Sequence, residues 1–393
     1  MALTERFSNL PEYAFPRLRA LLDGHAPGGT PLSMSIGEPM HPFPHWVGPL
    51  IAERQAEFGR YPPNEGTPEL RAAIADWAAR RYGAVVDPET RILPLNGSRE
   101  GLFNACLALC PETKRGARPL VLMPNPFYQV YAVGAAAVGA ESRYLPATAE
   151  TGFLPDLDAL APADLDRTAI FWLCSPSNPQ GAVAPRGYLD RLLGLAERHD
   201  FIVFADECYS EIYRDAPPPG MLEALAATGA DPERLVVFNS LSKRSNLPGL
   251  RAGFAIAGPE ATSALRRLRA YAGAPLPLPL QRAAERTWAD EAHVAANRAL
   301  YVAKYGLADR ILAGVPGYVP PQAGFFLWLP VADGEAAALR LWKETGVRVL
   351  PGAYLGRDAG QGNPGQGYIR VALVAPPEDT RRGLEAIRRC LFD

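Results

Sequence analysis

Leu235-Val-Val-Phe-Asn-Ser-Leu-Ser-Lys-Arg-Ser-Asn-Leu-Pro-Gly-Leu-Arg251 is the stretch from which the rest of the chain can be read. Its first five residues form an unbroken apolar and β-branched run, which predicts a strand buried on both faces. The run opens into a loop that carries two hydroxyls (Ser240, Ser242), one amine (Lys243) and one guanidinium (Arg251). Four similar runs, Pro119–Met123, Ala169–Cys174, Phe201–Ala205 and Gly253–Ala257, recur through the middle of the chain, and segments with helical spacing such as Gly187–His199 lie between several of them. Continuous rather than alternating hydrophobicity predicts an α/β fold with a mostly parallel sheet covered by helices. In such sheets ligands gather at the carboxyl ends of the strands.

Those ends carry chemistry. Ala169–Cys174 leads into Ser175-Pro-Ser-Asn178-Pro-Gln-Gly181, and Phe201–Ala205 leads into Asp206-Glu-Cys-Tyr209. With Lys243, three consecutive strands thus deliver an amide, a carboxylate with a phenol, and an amine to one edge of the sheet. A further run, Ile92–Leu95, is followed by Asn96-Gly-Ser-Arg-Glu100 and the helical pattern Gly101–Leu109. Small residues at a helix N-terminus offer free N–H groups to an anion. The bland alternative is an ordinary helix start with Ser98 as its cap.

Together these groups suit a phosphate-bearing aldehyde, pyridoxal phosphate. An Asp beside the pyridine nitrogen keeps it protonated, so the ring can accept electrons. A Tyr and an Asn can hydrogen-bond the phenolic oxygen. A Lys can form the imine and then carry the substrate's α-proton.

The whole chain sets bounds on this reading. Its 393 residues suffice for two domains, or one large domain with a satellite. With 40 basic and 42 acidic side chains, and no long run of like charge, nothing marks a nucleic-acid or anionic-membrane partner. The opening Met-Ala-Leu-Thr-Glu-Arg-Phe-Ser-Asn-Leu has charges where a signal peptide needs an apolar stretch, and Ala132–Ala140 is too short to span a bilayer. A soluble, cytoplasmic protein is expected. The five cysteines form no Cys-x-x-Cys pair and the five histidines are scattered, so no metal site is expected. The 40 prolines and 36 glycines lie between apolar runs and read as loop punctuation.

An ordered series of motifs then resembles the pyridoxal-phosphate aminotransferases of the aspartate-aminotransferase fold, from about Ser35 to Ala375. The pieces are Gly37-Glu-Pro, Tyr61-Pro-Pro-Asn-Glu-Gly-Thr-Pro-Glu-Leu-Arg71, Asn96-Gly-Ser-Arg, Asn125-Pro-Phe-Tyr128, Ser175-Pro-Ser-Asn-Pro-Gln-Gly, Asp206-Glu-Cys-Tyr, Ser240-Leu-Ser-Lys and Tyr368-Ile-Arg370. The resemblance implies that Lys243 is the Schiff-base lysine and Asp206 the partner of the pyridine nitrogen. It implies that Tyr209 and Asn178 reach the phenolic oxygen and that Tyr128 stacks on the ring. Gly97, Ser98, Ser240 and Arg251 are implied to hold the phosphate, with Ser242 and Arg99 beside them. Arg370 is implied to grip the substrate α-carboxylate, and Gly37 to bring its backbone to the substrate. Tyr61 is implied to reach the phosphate of a neighbouring subunit, making the active unit a homodimer.

The implied reaction is ping-pong amino transfer, with 2-oxoglutarate as the keto acid. Within the family the chain is most similar to succinyldiaminopimelate aminotransferases, through Ser33-Met-Ser-Ile-Gly-Glu-Pro-Met-His-Pro, Pro124-Asn-Pro-Phe-Tyr-Gln-Val-Tyr131 and Val349-Leu-Pro-Gly-Ala-Tyr-Leu355. The donor so implied, N-succinyl-L,L-2,6-diaminopimelate, carries extra carboxylates, for which Arg99 is one candidate contact. Other amino donors (aspartate, alanine, methionine or an aromatic amino acid) and β-lyase chemistry remain open. Two departures stand out: Gln180 replaces the Thr of many members, and Ala272-Gly-Ala-Pro-Leu-Pro-Leu-Pro279 lacks their polar residues. The resemblance implies a large cofactor-binding domain over residues 46–285 and a smaller α+β domain from 1–45 and 286–393.

Overall fold

The computed structural model describes residues 5–8, 10–360 and 362–393; part of the opening segment read above, residues 1–4 and 9, lies outside them. Seven strands form the main sheet: β1 (Ile92–Leu95), β2 (Leu120–Asn125), β3 (Glu141–Pro146), β4 (Thr168–Cys174), β5 (Ile202–Asp206), β6 (Leu235–Ser240) and β7 (Gly253–Ala257). Their spatial order is β1-β7-β6-β5-β4-β2-β3. Neighbours from β3 across to β6 are parallel, and β7 runs antiparallel to both β6 and β1.

The unbroken apolar runs have the expected cause. Leu122, Phe171, Leu173, Val203 and Val237 face one core, whereas Val121, Ile170, Trp172, Phe204 and Phe238 face another on the opposite side. Helices Ser98–Leu109, Gln129–Ala137 and Pro259–Ala272 bury apolar side chains in the second core; Pro68–Tyr82, Arg186–His199, Met221–Thr228 and Leu278–Ala289 do so in the first. Helix Pro68–Tyr82 shows how local sequence sets the limits. Thr67 caps it by accepting from Leu70 N, Pro68 supplies a fixed φ at the first turn, and Gly83 ends it at φ 64°.

A second body of structure has its own core, built by Tyr301, Tyr305, Phe325, Leu341, Ile369 and Leu384 among others. It contains the antiparallel strands β8 (Phe326–Pro330), β9 (Leu350–Pro351) and β10 (Tyr368–Ala372), in the order β9-β10-β8. Leu32–Ser33 pairs in parallel with Val347–Arg348, drawing the N-terminal segment into this body.

The strands expected from apolar runs appear within two residues of the expected ends, and Gly253–Ala257 appears unchanged. β3 was not anticipated. Its sequence, Glu-Ser-Arg-Tyr-Leu-Pro, is polar because it lies at the sheet's edge and four of its residues stay half-buried. Among the described residues no helix is long and apolar enough to cross a membrane.

Trp77 anchors the first core. Its ring lies 5.1 Å from Trp288, 5.5 Å from Phe254 on β7 and 5.6 Å from Tyr82. Trp77→Ala leaves a cavity that these rigid rings cannot fill. A loss of about 3–5 kcal/mol is expected, read as a lowered urea midpoint, with Trp77→Phe recovering most of it.

Candidate active site

The parallel strands β4, β5 and β6 end side by side: Cys174 is level with Asp206, and Asp206 with Phe238. A cavity of about 340 Å³ opens there, walled by Asn178, Asp206, Tyr209, Ser240, Ser242 and Lys243. Gly37, Ser98, Arg99, Tyr128, Arg251 and Arg370 complete its wall among the expected residues. Gly97 lies directly behind it, against the Arg251 guanidinium. Tyr61 is the exception: it is fully exposed and forms no part of the wall within one chain.

Asp206 closes β5 and is buried. Burial pushes its carboxyl up, opposed by the Tyr131 hydroxyl, which donates to Oδ2 at 2.7 Å, and by the Cys208 N–H at 3.3 Å. Tyr131 is held in turn by stacking on Trp172, with centroids 4.2 Å apart and planes 11° from parallel. A carboxylate held by one donor on each oxygen keeps further acceptor capacity at the cavity wall.

Lys243 lies on the single helical turn Leu241–Arg244 that follows β6. Its Nζ donates to the carbonyl of Gly37 and sits 5.4 Å from the centroid of the Phe325 ring. Burial lowers its pKa to about 8, and the nearby Arg251 and Arg370 charges act in the same direction. Gly37 has no room for a side chain, since a Cβ there would lie 2.5 Å from the Phe326 ring.

Arg370 points inward from β10 and is buried. Nη1 donates to Asn178 Oδ1 at 2.9 Å, Nη2 donates to Ser35 O at 2.8 Å, and the guanidinium lies 4.2 Å from the Phe326 centroid. Burial lowers its pKa to about 10, and its Nε is buried without a partner. Among the described residues no carboxylate forms an ion pair with it. A desolvated guanidinium in this state favours an incoming anion.

The anion cradle differs from the expectation in one respect. Gly97, not Ser98, occupies the cap of helix Ser98–Leu109, at φ 81°. A Cβ at Gly97 would lie 2.1 Å from Arg251 Nη2, so only glycine allows the guanidinium to come so close. Ser98 becomes the first helical residue, and its hydroxyl accepts from the Cys208 thiol at 3.4 Å. The buried Ser240 hydroxyl contacts the same sulfur at 3.8 Å. Arg251 holds its own left-handed backbone, φ 56°, and donates to Pro248 O at 2.8 Å.

Farther out, Arg99 Nε donates to the Tyr128 hydroxyl at 2.7 Å, and the Tyr128 ring meets Tyr131 edge-on at 5.8 Å. Tyr131, Cys208 and Phe326 were not singled out from the sequence. Tyr131 did carry a signal: three residues after Tyr128 at a helix start, it shares that residue's face. Cys208 sits inside the Asp206–Tyr209 motif, and Phe326 carried none.

The chain belongs to the aminotransferases of class I and II, whose family model matches residues 30–387. Its cofactor is accordingly pyridoxal 5'-phosphate. The donor set fits that group: a cavity-facing amine, a buried carboxylate, and an anion cradle where a Cβ would collide. The chain is 34% identical over 394 residues to LL-diaminopimelate aminotransferase of Dehalococcoides mccartyi, covering 98% of this chain and 97% of that one. Among solved structures it is similar to an aminotransferase from Neisseria meningitidis, with 38% identity, TM-score 0.93 and coverage of 98% and 99%. Aminotransferase AspB from Helicobacter pylori follows, with 34% identity, TM-score 0.90 and coverage of 97% and 98%.

With its pKa near 8 rather than 10.5, the Lys243 amine is neutral, and so nucleophilic, at lower pH than an exposed lysine. The neutral fraction rises from about a tenth at pH 7 to about nine-tenths at pH 9. With Lys243 as the expected imine-forming residue, capture of added pyridoxal phosphate by the cofactor-free protein is predicted to speed up about tenfold over that interval and level off above it. A rate still climbing steeply at pH 10 would contradict the shift.

Proposed function

We propose that the chain transfers the amino group of a diaminopimelate-type donor to 2-oxoglutarate by ping-pong exchange. The observation that carries the reading is the meeting of Lys243, Asp206, Asn178 and the anion-seeking Arg370 in one cavity. Within the donor class, the motifs quoted above favour N-succinyl-L,L-2,6-diaminopimelate. Free LL-diaminopimelate is the second reading, favoured by the names of relatives that match nearly the whole chain.

When bound, pyridoxal phosphate supplies an acceptor for the electron pair left at the substrate Cα. In this proposal Asp206 holds the proton on the pyridine nitrogen, and Tyr209 and Asn178 donate to the phenolic oxygen. Tyr128 stacks on the ring. Gly97, Ser98, Ser240, Ser242 and Arg251 hold the phosphate, with Arg99 at the edge, tied to Tyr128 and facing the donor's far carboxylates. Lys243 takes the proton from the donor's Cα and hands it on. Arg370 grips the α-carboxylate while Gly37, free of a side chain, lets its backbone approach the substrate.

The enzyme is proposed to work in the cytoplasm as a homodimer in which the exposed Tyr61 serves the partner's phosphate site. The domain division is proposed as residues 46–285 against 1–45 and 286–393. Packing of Trp288 in the main core favours moving the boundary at residue 285 to the end of helix Leu278–Ala289. Joining of the N-terminal helix Ala14–Leu22 to helix Gly334–Thr345 and β9 in one apolar cluster supports pairing the two termini.

Titrating the purified holoenzyme with each donor and following the cofactor's absorbance tests the substrate. Conversion at far lower concentration with the succinylated donor supports the first reading, and the reverse order supports the second. Preference for aspartate, alanine or methionine removes the diaminopimelate class altogether. Arg370→Lys exchanges a two-pronged donor for a point charge. It is expected to lower kcat/KM on the order of 100-fold, mostly through KM for the donor.

A further inference from the structure

Lys304, on helix Ala292–Ile311, is 1% exposed, and among the described residues no carboxylate forms an ion pair with it. A buried ammonium without a counter-ion is costly, so the polar groups around it have to hold it in one geometry. Burial accordingly lowers its pKa to about 8. Its Nζ reaches His41 Nε2 at 2.7 Å and donates to Leu373 O at 3.0 Å.

These contacts fix the protons along a chain of side chains. The Lys304 ammonium has no lone pair, so His41 Nε2 must accept. His41 Nδ1 then carries the hydrogen and donates to Asn297 Oδ1 at 2.8 Å. That same oxygen accepts from Asn246 Nδ2 at 3.0 Å, and Asn246 Nδ2 also reaches Pro42 O at 3.1 Å. Asn246 holds a left-handed backbone, φ 54°, three residues after Lys243. Beside it, Ser245 Oγ contacts His293 Nε2 at 2.8 Å, and Arg244 donates to Thr287 O at 2.9 Å and Glu291 Oε1 at 2.7 Å.

We propose that Lys304, His41, Asn297 and Asn246 form one polar seam that sets the mutual position of three backbone segments of the active site. The first is the strap of residues 37–42, whose Gly37 carbonyl meets Lys243 Nζ. The second is the loop that follows Lys243. The third is the end of β10, where Leu373 lies three residues beyond Arg370. All four side chains are positioning residues, and none of them lies in the cavity wall. The proposal rests on the roles given above to Lys243 and Arg370.

The test compares the holoenzymes of Lys304→Met, Asn246→Gly and the double variant. Methionine keeps the length without the charge, and glycine keeps the left-handed backbone without the amide. Each single variant is expected to lower kcat and raise KM for the amino donor, for a combined loss of about tenfold to a hundredfold. The double variant should lose no more than about threefold beyond the worse single, as for members of one network. Amide hydrogen exchange on the cofactor-free proteins should quicken in residues 37–42 and 243–246 together, in either single variant. Losses that multiply in the double variant, or exchange that changes only on helix Ala292–Ile311, overturn the seam. If Lys304→Met does not fold, His41→Asn at the half-buried end takes its place with the same readouts. Arg370→Lys, assayed alongside, keeps the two ideas apart. An unchanged donor KM there condemns the Arg370 assignment and leaves hydrogen exchange to decide the seam. A raised KM there, with Lys304→Met kinetics like the parent's, overturns the seam alone.

Discussion

The Arg370 guanidinium bonds to both bodies of the structure and is itself short of partners. Asn178 comes from the main sheet, Ser35 from the N-terminal segment and Phe326 from the strand next to its own. Removed from water, the cation needs these contacts, and they leave its Nε unsatisfied. The rest of the cavity is arranged around that deficit. An amine whose pKa is lowered by burial and a carboxylate kept in place by a tyrosine face the same space from separate strand ends.

The sheet makes this separation possible. Three parallel strands end at one level, and each contributes polar groups to a rim whose underside is packed with aromatic rings. Tyr131, Trp172, Phe204 and Phe238 stack or meet edge-on beneath Asp206. Rigid rings below a carboxylate limit its freedom, which lowers the reorganisation needed when charge moves above it. The cradle follows the same pattern. Gly97 gives space, Arg251 fills it, and the Cys208 sulfur touches both serine hydroxyls, so that side chains from three strand ends share one small volume.

Much of this was legible in the sequence, for a definite reason. Strands buried on both faces leave unbroken apolar runs, and a parallel sheet puts the residues after each run on one rim. The pattern of runs therefore brings Lys243, Asp206 and Asn178 together on sequence alone. β3 escaped because an edge strand needs no apolar run. The placing of the cap at Gly97 rather than Ser98 is not visible locally, since the guanidinium packed against that glycine, Arg251, lies far along the chain. Phe326 lies in an ordinary apolar stretch, and nothing local marks its ring as the floor under Arg370. The family was legible from the order of its motifs. The donor was not, because no motif marks the residues that meet its side chain, and an arginine such as Arg99 at a helix start reads as an ordinary surface charge.

Phe326 carries a consequence of its own. The Arg370 guanidinium, proposed above to grip the substrate carboxylate, rests on this ring, and so does the clearance beside Gly37. A single codon therefore controls two properties that evolution would otherwise adjust separately. A smaller residue at 326 makes room for bulkier substrates and at the same stroke loosens the anchor that orients them. On the assignment proposed for Arg370, space for bulkier substrates is opened without loss of aim only at other positions of the rim.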